Sequence, residues 1–336
     1  MQLWNAGSLA HNIATLANLE QEVQDILEGD LRAVAKSISK LEAGSWSEES
    51  LQLLRALYPN TGNAFVVGIT GSPGVGKSSV VDGLTGQLRS RGHRVAIVAV
   101  DPTSPFSGGA VLGDRIRMQR HSTDAGVFIR SMATRGKLGG LAPAVQEALV
   151  VLDAAGFDYI LLETVGVGQD EVEVVYSAHM VLVVLAPGLG DDVQTIKAGL
   201  MEIADLFVLN KADLAGADQS ERDILAMLEL AAATTDYPLC LIKTIANQGE
   251  GIENLVTQIA NYRDWCKKQS DPKSQLAVHK HRLRELLKTR LEELIYSQWS
   301  DSKLESLALK LRERETDPYT VVTHMLAELD KGDFND

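Results

Sequence analysis

The sequence predicts an α/β protein with a mostly parallel central sheet, helices on both faces of that sheet, and helical extensions at both ends of the chain. The first observation is a set of seven short apolar runs, separated by helical patterns, between residues 64 and 243. Near-continuous apolar strands that alternate with helices are typical of parallel sheets covered on both faces. The second is an amphipathic pattern on either side of this region. The predicted strands are AFVVGIT, RVAIVAV, GVFIRS, DYILLET, MVLVVLAP, LFVLN and LCLIKT.

The N-terminal segment, residues 1–60, is predicted to be a helical extension. Its apolar residues recur at helical spacing, and Asp30 and Ser47 stand where helix N-caps are expected. An α/β domain is then predicted over residues 61–268.

The C-terminal segment, residues 269–336, is predicted to be a helical arm that opens with a linker, QSDPKSQ. A further helix is signalled by Asp317 as its cap and Pro318 in its first turn. A long helix before it carries a leucine stripe, which either packs back on the same domain or forms a homodimer. The stripe consists of Leu283, Leu287, Leu291 and Leu294.

Composition limits the classes of function. The formal net charge is −13 over 336 residues, which argues against a general nucleic-acid binder. No run of about 18 apolar residues is present, so we expect no membrane-spanning helix. The two cysteines, Cys240 and Cys266, predict no disulfide framework, and the first lysine or arginine is Arg32. We therefore expect a cytoplasmic protein.

The stretch GITGSPGVGKSS, residues 68–79, predicts a nucleoside triphosphate site. It contains G-x-x-x-x-G-K-S between a predicted strand and a predicted helix, where glycines let backbone N–H groups face a phosphate chain. Lys77 is expected to reach the β- and γ-phosphates and the Ser78 hydroxyl to bind Mg²⁺. The predicted phosphate-binding residues are Gly71, Ser72, Pro73, Gly74, Val75, Gly76, Lys77, Ser78 and Ser79.

The run DLFVLNKADL predicts that the base is guanine. It places Asn210, Lys211 and Asp213 in an N-K-x-D pattern directly after a strand. The Asp213 carboxylate can accept from both N1–H and the exocyclic amine of guanine. Adenine offers neither donor and would leave a buried Asp213 unpaired, so GTP is favoured over ATP.

A third contact to guanine is expected after the next strand, in LIKTIANQGEGI. The predicted contacts are Ile245, Ala246 and Asn247, with the Ala246 N–H facing the base oxygen O6. Ile245 stands where such loops usually carry a serine.

Three acidic residues are candidates for Mg²⁺ binding and hydrolysis. Glu163 ends a predicted strand, and the glycine of E-x-x-G, Gly166, is expected to direct its N–H at the γ-phosphate. Asp101 ends the second strand, and Asp114 follows a glycine-rich turn. For both aspartates a structural role such as helix capping is the alternative. Arg130 is interpreted as a solvated loop charge, with a contact to phosphate in trans or to a partner as the alternative.

Together these motifs resemble the MeaB/ArgK family, the GTPase chaperones of methylmalonyl-CoA mutase. The similarity extends from about residue 29 to 268 and is carried by six motifs in order: GITGSPGVGKSS, VAVDPTSPFSGGAVLGDRIRM, FIRSMATRGKLGG, ETVGVGQDE, APGLGDDVQTIKAGLMEIADLFVLNKADL and GEGIENL. The chain departs from the usual family pattern at Ile245 and at SMATRG.

The resemblance implies a homodimeric, Mg²⁺-dependent P-loop GTPase that binds an adenosylcobalamin-dependent acyl-CoA mutase. Such a protein gates cofactor loading and protects or reactivates the mutase, without a recognisable cobalamin-binding motif of its own. By the same resemblance, phosphate, Mg²⁺ and hydrolysis are served by Lys77, Ser78, Asp101, Asp114 and Glu163.

Two alternative functions belong to other classes. The first is a kinase or ATPase acting on a periplasmic amino-acid transport system, which requires ATP; the N-K-x-D pattern argues against ATP. The second is a metallochaperone GTPase for nickel insertion, which requires clusters of histidine and cysteine that this sequence does not suggest.

Overall fold

A computed structural model of the chain describes residues 17–44, 47–101, 119–133, 143–164, 177–188, 203–231, 237–268 and 272–329. The chain forms two compact units, Met1–His279 and Lys280–Asp336. The first unit contains every described strand and the phosphate-binding loop.

Among the described residues before the sheet there are three α-helices, as predicted. The described part of α1 covers residues 17–27, and it is followed by α2 (Leu31–Ala43) and α3 (Glu48–Leu57). Asp30 caps α2 by accepting from the N–H groups of Arg32 and Ala33 at 2.7 and 2.8 Å. Ser47 caps α3 by accepting from the Ser50 N–H at 3.2 Å. Both predicted caps are confirmed, and each satisfies N–H groups that the first helical turn leaves without a partner.

The sheet contains all seven predicted strands in the order β3-β2-β4-β1-β5-β6-β7, and every pair of neighbours is parallel. The predicted mostly parallel sheet is thus confirmed. Strand β1 lies between β4 and β5, so the loop that follows β1 leaves the sheet at its centre. The strands are β1 (Phe65–Thr70), β2 (Val95–Asp101), β3 (Val127–Ala133), β4 (Tyr159–Thr164), β5 (Met180–Leu185), β6 (Leu206–Leu209) and β7 (Leu241–Lys243).

Helices cover both faces of this sheet and bury a separate apolar core on each. The connecting helices are α4 (Lys77–Ser90), α5 (Pro143–Ala154), α6 (Ala217–Ala231) and α7 (Ile252–Lys268). On one face α1, α2, α3 and α5 pack in the same core as Val66, Val98 and Ile160 of the sheet. On the other face α4 and α7 pack on Val67 and Ile97. Side chains alternate across a strand, so each strand supplies both cores.

The N-terminal helices belong to the core of the first unit. Ile38 of α2 and Leu53 of α3 are both 0% exposed. Arg130 of β3 pairs with Glu42 of α2 and donates to the Ser39 hydroxyl at 3.0 Å. The interpretation of Arg130 as a solvated or phosphate-binding residue is therefore wrong, because its guanidinium forms an ion pair and a hydrogen bond that connect β3 to α2.

The C-terminal helices are α8 (Pro272–Gln298), α9 (Asp301–Arg312) and α10 (Pro318–Leu329). Helix α8 begins inside the segment predicted as a linker, which is wrong from Pro272 onward, because proline fits the first turn of a helix. Asp317 caps α10 by accepting from the N–H groups of Tyr319 and Thr320 at 3.0 and 2.9 Å, as predicted. The side chains of Leu283, Leu287 and Leu291 are 60, 55 and 53% exposed.

Within the part of the chain that the structure describes, none of the helices combines the length and apolar character needed to cross a bilayer.

Candidate nucleotide-binding site

The predicted phosphate and base motifs meet at one edge of the sheet. The phosphate-binding loop follows β1, Glu163 lies near the end of β4, and the N-K-x-D segment and the Ile245 loop follow β6 and β7. All these strands are parallel, so their carboxyl ends share an edge. Ligands of open parallel sheets bind outside that edge.

The phosphate-binding loop depends on glycine at two close approaches. Gly71 and Gly76 have φ values of 137° and 96°. A β-carbon at Gly71 would lie 2.1 Å from the Val184 carbonyl oxygen, and one at Gly76 would lie 2.4 Å from Asn210 Nδ2. Any side chain would therefore push the loop away from β5 or from the N-K-x-D segment.

Lys77, the first residue of α4, is held inside this loop. Its ammonium donates to the carbonyl oxygens of Gly71 at 2.6 Å and Ser72 at 3.2 Å, and the residue is only 7% exposed. The N-terminus of α4 and the Lys77 ammonium therefore place positive charge at the phosphate-binding loop, which suits a chain of phosphates.

Ser78 and Glu163 are brought into direct contact. The Ser78 hydroxyl donates to Glu163 Oε1 at 2.8 Å, and Glu163 is 5% exposed. In the sheet Glu163 is in register with Ile69 of β1 and Ala99 of β2. A hydroxyl beside a buried carboxylate supplies the hard oxygen ligands that Mg²⁺ prefers, so these two residues fit the predicted ion.

Of the other two acidic candidates, only Asp101 lies among the described residues. Asp101 is the last residue of β2, two positions beyond Ala99, and its backbone is therefore near that of Glu163. Asp114 and Gly166 lie outside the described residues.

Asn210 connects the base-reading segment to the phosphate-binding loop. Its Nδ2 donates to the Val75 carbonyl oxygen at 2.9 Å. Its Oδ1 accepts from the Thr244 hydroxyl and from the Ala246 N–H, both at 3.1 Å. Asn210 is 3% exposed, so these bonds form out of water, where breaking one is costly. The Ala246 N–H, predicted to face guanine O6, thus donates to Asn210 Oδ1 in this structure.

Thr244 begins the segment in which the third guanine contact is expected, but the sequence predicts no partner for its hydroxyl. It is 1% exposed and follows β7 directly. The only signal in the sequence is its position just before Ile245, and nothing there shows that its hydroxyl reaches Asn210.

Lys211 and Asp213 form the outer side of the site. Lys211 adopts a positive φ of 56°, and its ammonium donates to the Gly74 carbonyl oxygen at 2.6 Å. Its aliphatic stem therefore lies across the gap between the base motif and the phosphate loop. Asp213 is exposed, so the predicted penalty against adenine requires that a bound base cover this carboxylate.

The loop after β7 is closed by its own backbone. The Ile245 N–H donates to the Glu250 carbonyl oxygen at 3.1 Å, and the Gln248 N–H donates to the Ile245 carbonyl oxygen at 2.8 Å. These two backbone bonds close the loop at Ile245, the position at which such loops usually carry a serine. Asn247 lies at the exposed tip of the short 3₁₀ turn Ala246–Gln248.

A glycine loop that holds a lysine, a Ser–Glu pair and an N-K-x-D segment on a parallel sheet together define a P-loop nucleoside triphosphatase. Residues 34–302 match the model of the family described as "Methylmalonyl Co-A mutase-associated GTPase MeaB". The chain belongs to this family.

Similar proteins agree with this assignment. A "Putative GTPase" of Pyrococcus abyssi is 44% identical over 321 residues, which cover 94% of this chain and 98% of the relative. "GTPase ArgK" of Escherichia coli is 39% identical over 199 residues, 59% of this chain and 60% of the relative. "Methylmalonic aciduria type A homolog, mitochondrial" of Caenorhabditis briggsae is 37% identical over 220 residues, 64% of this chain and 53% of the relative.

Among solved structures, the crystal structure titled "LAO/AO transport system kinase" matches with a TM-score of 0.69 and 24% identity, over 94% of this chain and 98% of that one. At this identity the likeness shows a common fold.

Proposed function

We propose that this protein is a GTP-hydrolysing chaperone of an adenosylcobalamin-dependent acyl-CoA mutase of the methylmalonyl-CoA mutase type. It gates loading of the cofactor and protects or reactivates the mutase. The family match and the relative named as a methylmalonic aciduria type A homolog support this assignment. GTP hydrolysis is then coupled to a conformational change in a partner enzyme, as in other nucleotide-driven switches.

The observation that carries guanine nucleotide binding is the Asn210 side chain, which bonds to Val75 of the phosphate loop and to Thr244 and Ala246 of the loop after β7. The three segments expected to touch guanine and phosphate are thereby held together. On this proposal Asp213 accepts from N1–H and the exocyclic amine of guanine, and the Ala246 N–H, which donates to Asn210 Oδ1, is shared with the base oxygen O6.

The triphosphate binds along the loop from Gly71 to Ser79. Backbone N–H groups of the loop and the Lys77 ammonium neutralise the β- and γ-phosphates. Ser78 and Glu163, with Asp101 and Asp114, would hold Mg²⁺, which would supply charge stabilisation to the phosphates.

Hydrolysis by the isolated chain is expected to be slow. In the sequence no glutamine stands where small GTPases hold the side chain that orients the attacking water. We propose that Asp101 and Asp114 bind either Mg²⁺ or that water molecule. Gly166 is proposed to sense the γ-phosphate and to change conformation when it is lost.

We further propose that the protein acts in the cytoplasm as a homodimer through its C-terminal arm. The exposed leucines of α8 support this proposal, because regularly spaced apolar side chains on a helix usually pack against a partner. We propose no nucleic-acid, membrane or direct cobalamin binding.

The partner assignment is tested with the full chain and purified methylmalonyl-CoA mutase. The mutase is immobilised and challenged with the chain in a non-hydrolysable GTP analogue or in GDP, and GTP turnover is measured with and without the mutase. We expect nucleotide-dependent binding and faster turnover. A mutase that neither binds the chain nor alters its turnover would contradict the assignment; an unrelated CoA-dependent enzyme serves as the control.

A further inference from the structure

Gly251, at the start of α7, touches the end of β7 so closely that no side chain fits. Its φ is +78°, and a β-carbon there would lie 2.1 Å from the Lys243 carbonyl oxygen and 3.1 Å from the Thr244 Cα. These neighbours are backbone atoms, which cannot rotate away as a side chain can. A substitution at Gly251 must therefore displace the backbone at Lys243 and Thr244.

Gly251 has little freedom to move in response. Its carbonyl oxygen accepts from the Leu255 N–H at 3.0 Å, as part of the first turn of α7. Ile252 and Leu255 are 1 and 0% exposed and pack in the core shared with α4. The strain of a side chain would therefore fall mainly on Lys243 and Thr244, because the other side of the contact is fixed in the core.

Thr244 in turn sets the position of the N-K-x-D segment through three hydrogen bonds. Its N–H donates to the Leu209 carbonyl oxygen at 2.9 Å, and its carbonyl oxygen accepts from the Ala212 N–H at 3.1 Å. Its hydroxyl donates to Asn210 Oδ1 at 3.1 Å. The bond to Ala212 fixes the residue directly before Asp213, which reads the base.

We propose that Gly251 is a positioning residue for guanine recognition, acting through Thr244 on Asn210, Asp213 and Ala246. This inference rests on the proposed guanine nucleotide binding and names a residue, outside the predicted nucleotide-binding residues, that sets its selectivity. The phosphate side of the site is carried by Lys77 and Ser78 at the start of α4 and by Glu163 on β4, and it is not expected to depend on Gly251.

Gly249 provides a matched comparison. Its φ is +77°, almost the value at Gly251, but a β-carbon there meets no atom within 4 Å. Alanine at either position thus carries the same backbone penalty for positive φ, and only alanine at Gly251 collides with the end of β7. A difference between the two variants measures the contact with Lys243 and Thr244.

The experiment compares the full chain with Gly251→Ala and Gly249→Ala, and measures KM and kcat for GTP and ITP. ITP lacks the exocyclic amine that Asp213 accepts from, so the ratio of the two kcat/KM values reports base reading. For Gly251→Ala we expect KM for GTP to rise about tenfold and the preference for GTP over ITP to fall about fivefold, with kcat within about twofold. For Gly249→Ala we expect both quantities to stay within about threefold of the parent chain.

A second pair of variants applies if Gly251→Ala does not fold. Thr244→Val removes the hydroxyl that donates to Asn210 and keeps the shape of the side chain, whereas Thr244→Ser keeps the hydroxyl. We expect Thr244→Val to lower the preference for GTP over ITP and Thr244→Ser to retain it.

Three results would overturn the inference: Gly251→Ala matching Gly249→Ala in KM and preference, Gly251→Ala losing kcat with its base preference intact, or Thr244→Val keeping the parent preference. Failure of the proposed function is distinguished by the parent chain alone: if the parent chain binds no guanine nucleotide, the proposed function is wrong, whatever the variants do.

Discussion

Ser78 and Glu163 lie 85 residues apart in the sequence, yet the serine hydroxyl donates to Glu163 Oε1 at 2.8 Å. The contact follows from the strand order, because β4 is the direct neighbour of β1 and the phosphate loop leads from β1 into α4. The sheet topology thereby places a nearly buried carboxylate against the first turn of the P-loop helix.

If this pair holds Mg²⁺, removal of either oxygen should impair hydrolysis. For Ser78→Ala and for Glu163→Gln we expect kcat/KM for GTP to fall about a hundredfold, or about 2.7 kcal/mol of transition-state stabilisation. Ser90→Ala, an exposed serine at the other end of α4, should leave the rate unchanged. Measurement of GTPase rates across a magnesium titration checks this, and a Glu163→Gln variant with parent rates at limiting Mg²⁺ would contradict it.

Acid stability should depend on Asp124. Arg89 holds this carboxylate with two hydrogen bonds of 2.8 Å, and the Gly126 N–H donates to it at 2.8 Å. The bond to Arg89, followed by that to Gly126, lowers the pKa of Asp124 to about 2.

Because the pKa of this carboxyl is lower in the folded chain than in the unfolded one, the stabilisation is present above about pH 4 and is lost as the pH falls from about 4 to 2. Asp124→Asn should remove this part of the pH dependence and cost about 1 kcal/mol at pH 7, a figure discounted because the side chain is 35% exposed. Denaturant unfolding at pH 7, 4 and 3 measures both effects. Equal pH slopes for the two proteins would show that the Arg89 pair contributes nothing.

The N-terminal helices should be required for the stability of the first unit. Ile38 of α2 is 0% exposed and lies in the same core as the sheet. Ile38→Ala is expected to lower the free energy of unfolding by about 3 kcal/mol, since the cavity adds to the lost transfer free energy. Lys36→Ala, an exposed neighbour on the same helix, should change it by less than about 0.5 kcal/mol. The prediction would be contradicted if the sheet of Ile38→Ala unfolded at the same denaturant midpoint as the parent chain while α2 unfolded in a separate transition.

The leucine stripe of α8 is expected to hold a dimer together. Replacement of Leu283, Leu287 and Leu291 by alanine should raise the dimer dissociation constant at least about a hundredfold, since several buried leucines are lost together. Arg284→Ala with Lys288→Ala, at neighbouring positions of the same helix, serves as the control. Light scattering over a concentration series measures the mass, and a triple variant with the parent mass at every concentration would exclude this stripe as the interface.

The sheet was predictable because its signals are local. Each strand is a mainly apolar run of three to seven residues, and Asp30 and Ser47 cap helices for reasons that a few neighbouring residues determine. The phosphate loop was equally clear, because the glycine spacing and the lysine follow from the shape of a phosphate chain.

The contacts between distant segments were not predictable in the same way. Arg130 sits beside other basic residues in the sequence, and only the packing of α2 on the sheet shows that Glu42 is its partner. Gly251 lies in the motif GEGIENL, but neither that motif nor the residues around Thr244 indicate a collision with Lys243 or a bond to Asn210. The exposure of Asp213 depends on the turn geometry after β6, which a pattern of residue types does not specify.

The most direct test of the central claim is the base preference of the Asp213 position. Calorimetric titration of GDP, XDP and ADP should give binding of GDP but not of ADP to the parent chain. For Asp213→Asn, affinity for GDP should fall about a hundredfold while XDP binds in its place, because the amide donates to the xanthine 2-oxo group where the carboxylate accepted from the guanine amine. Uptake of ADP as tight as that of GDP by the parent chain, or unchanged GDP binding by Asp213→Asn, would contradict the account.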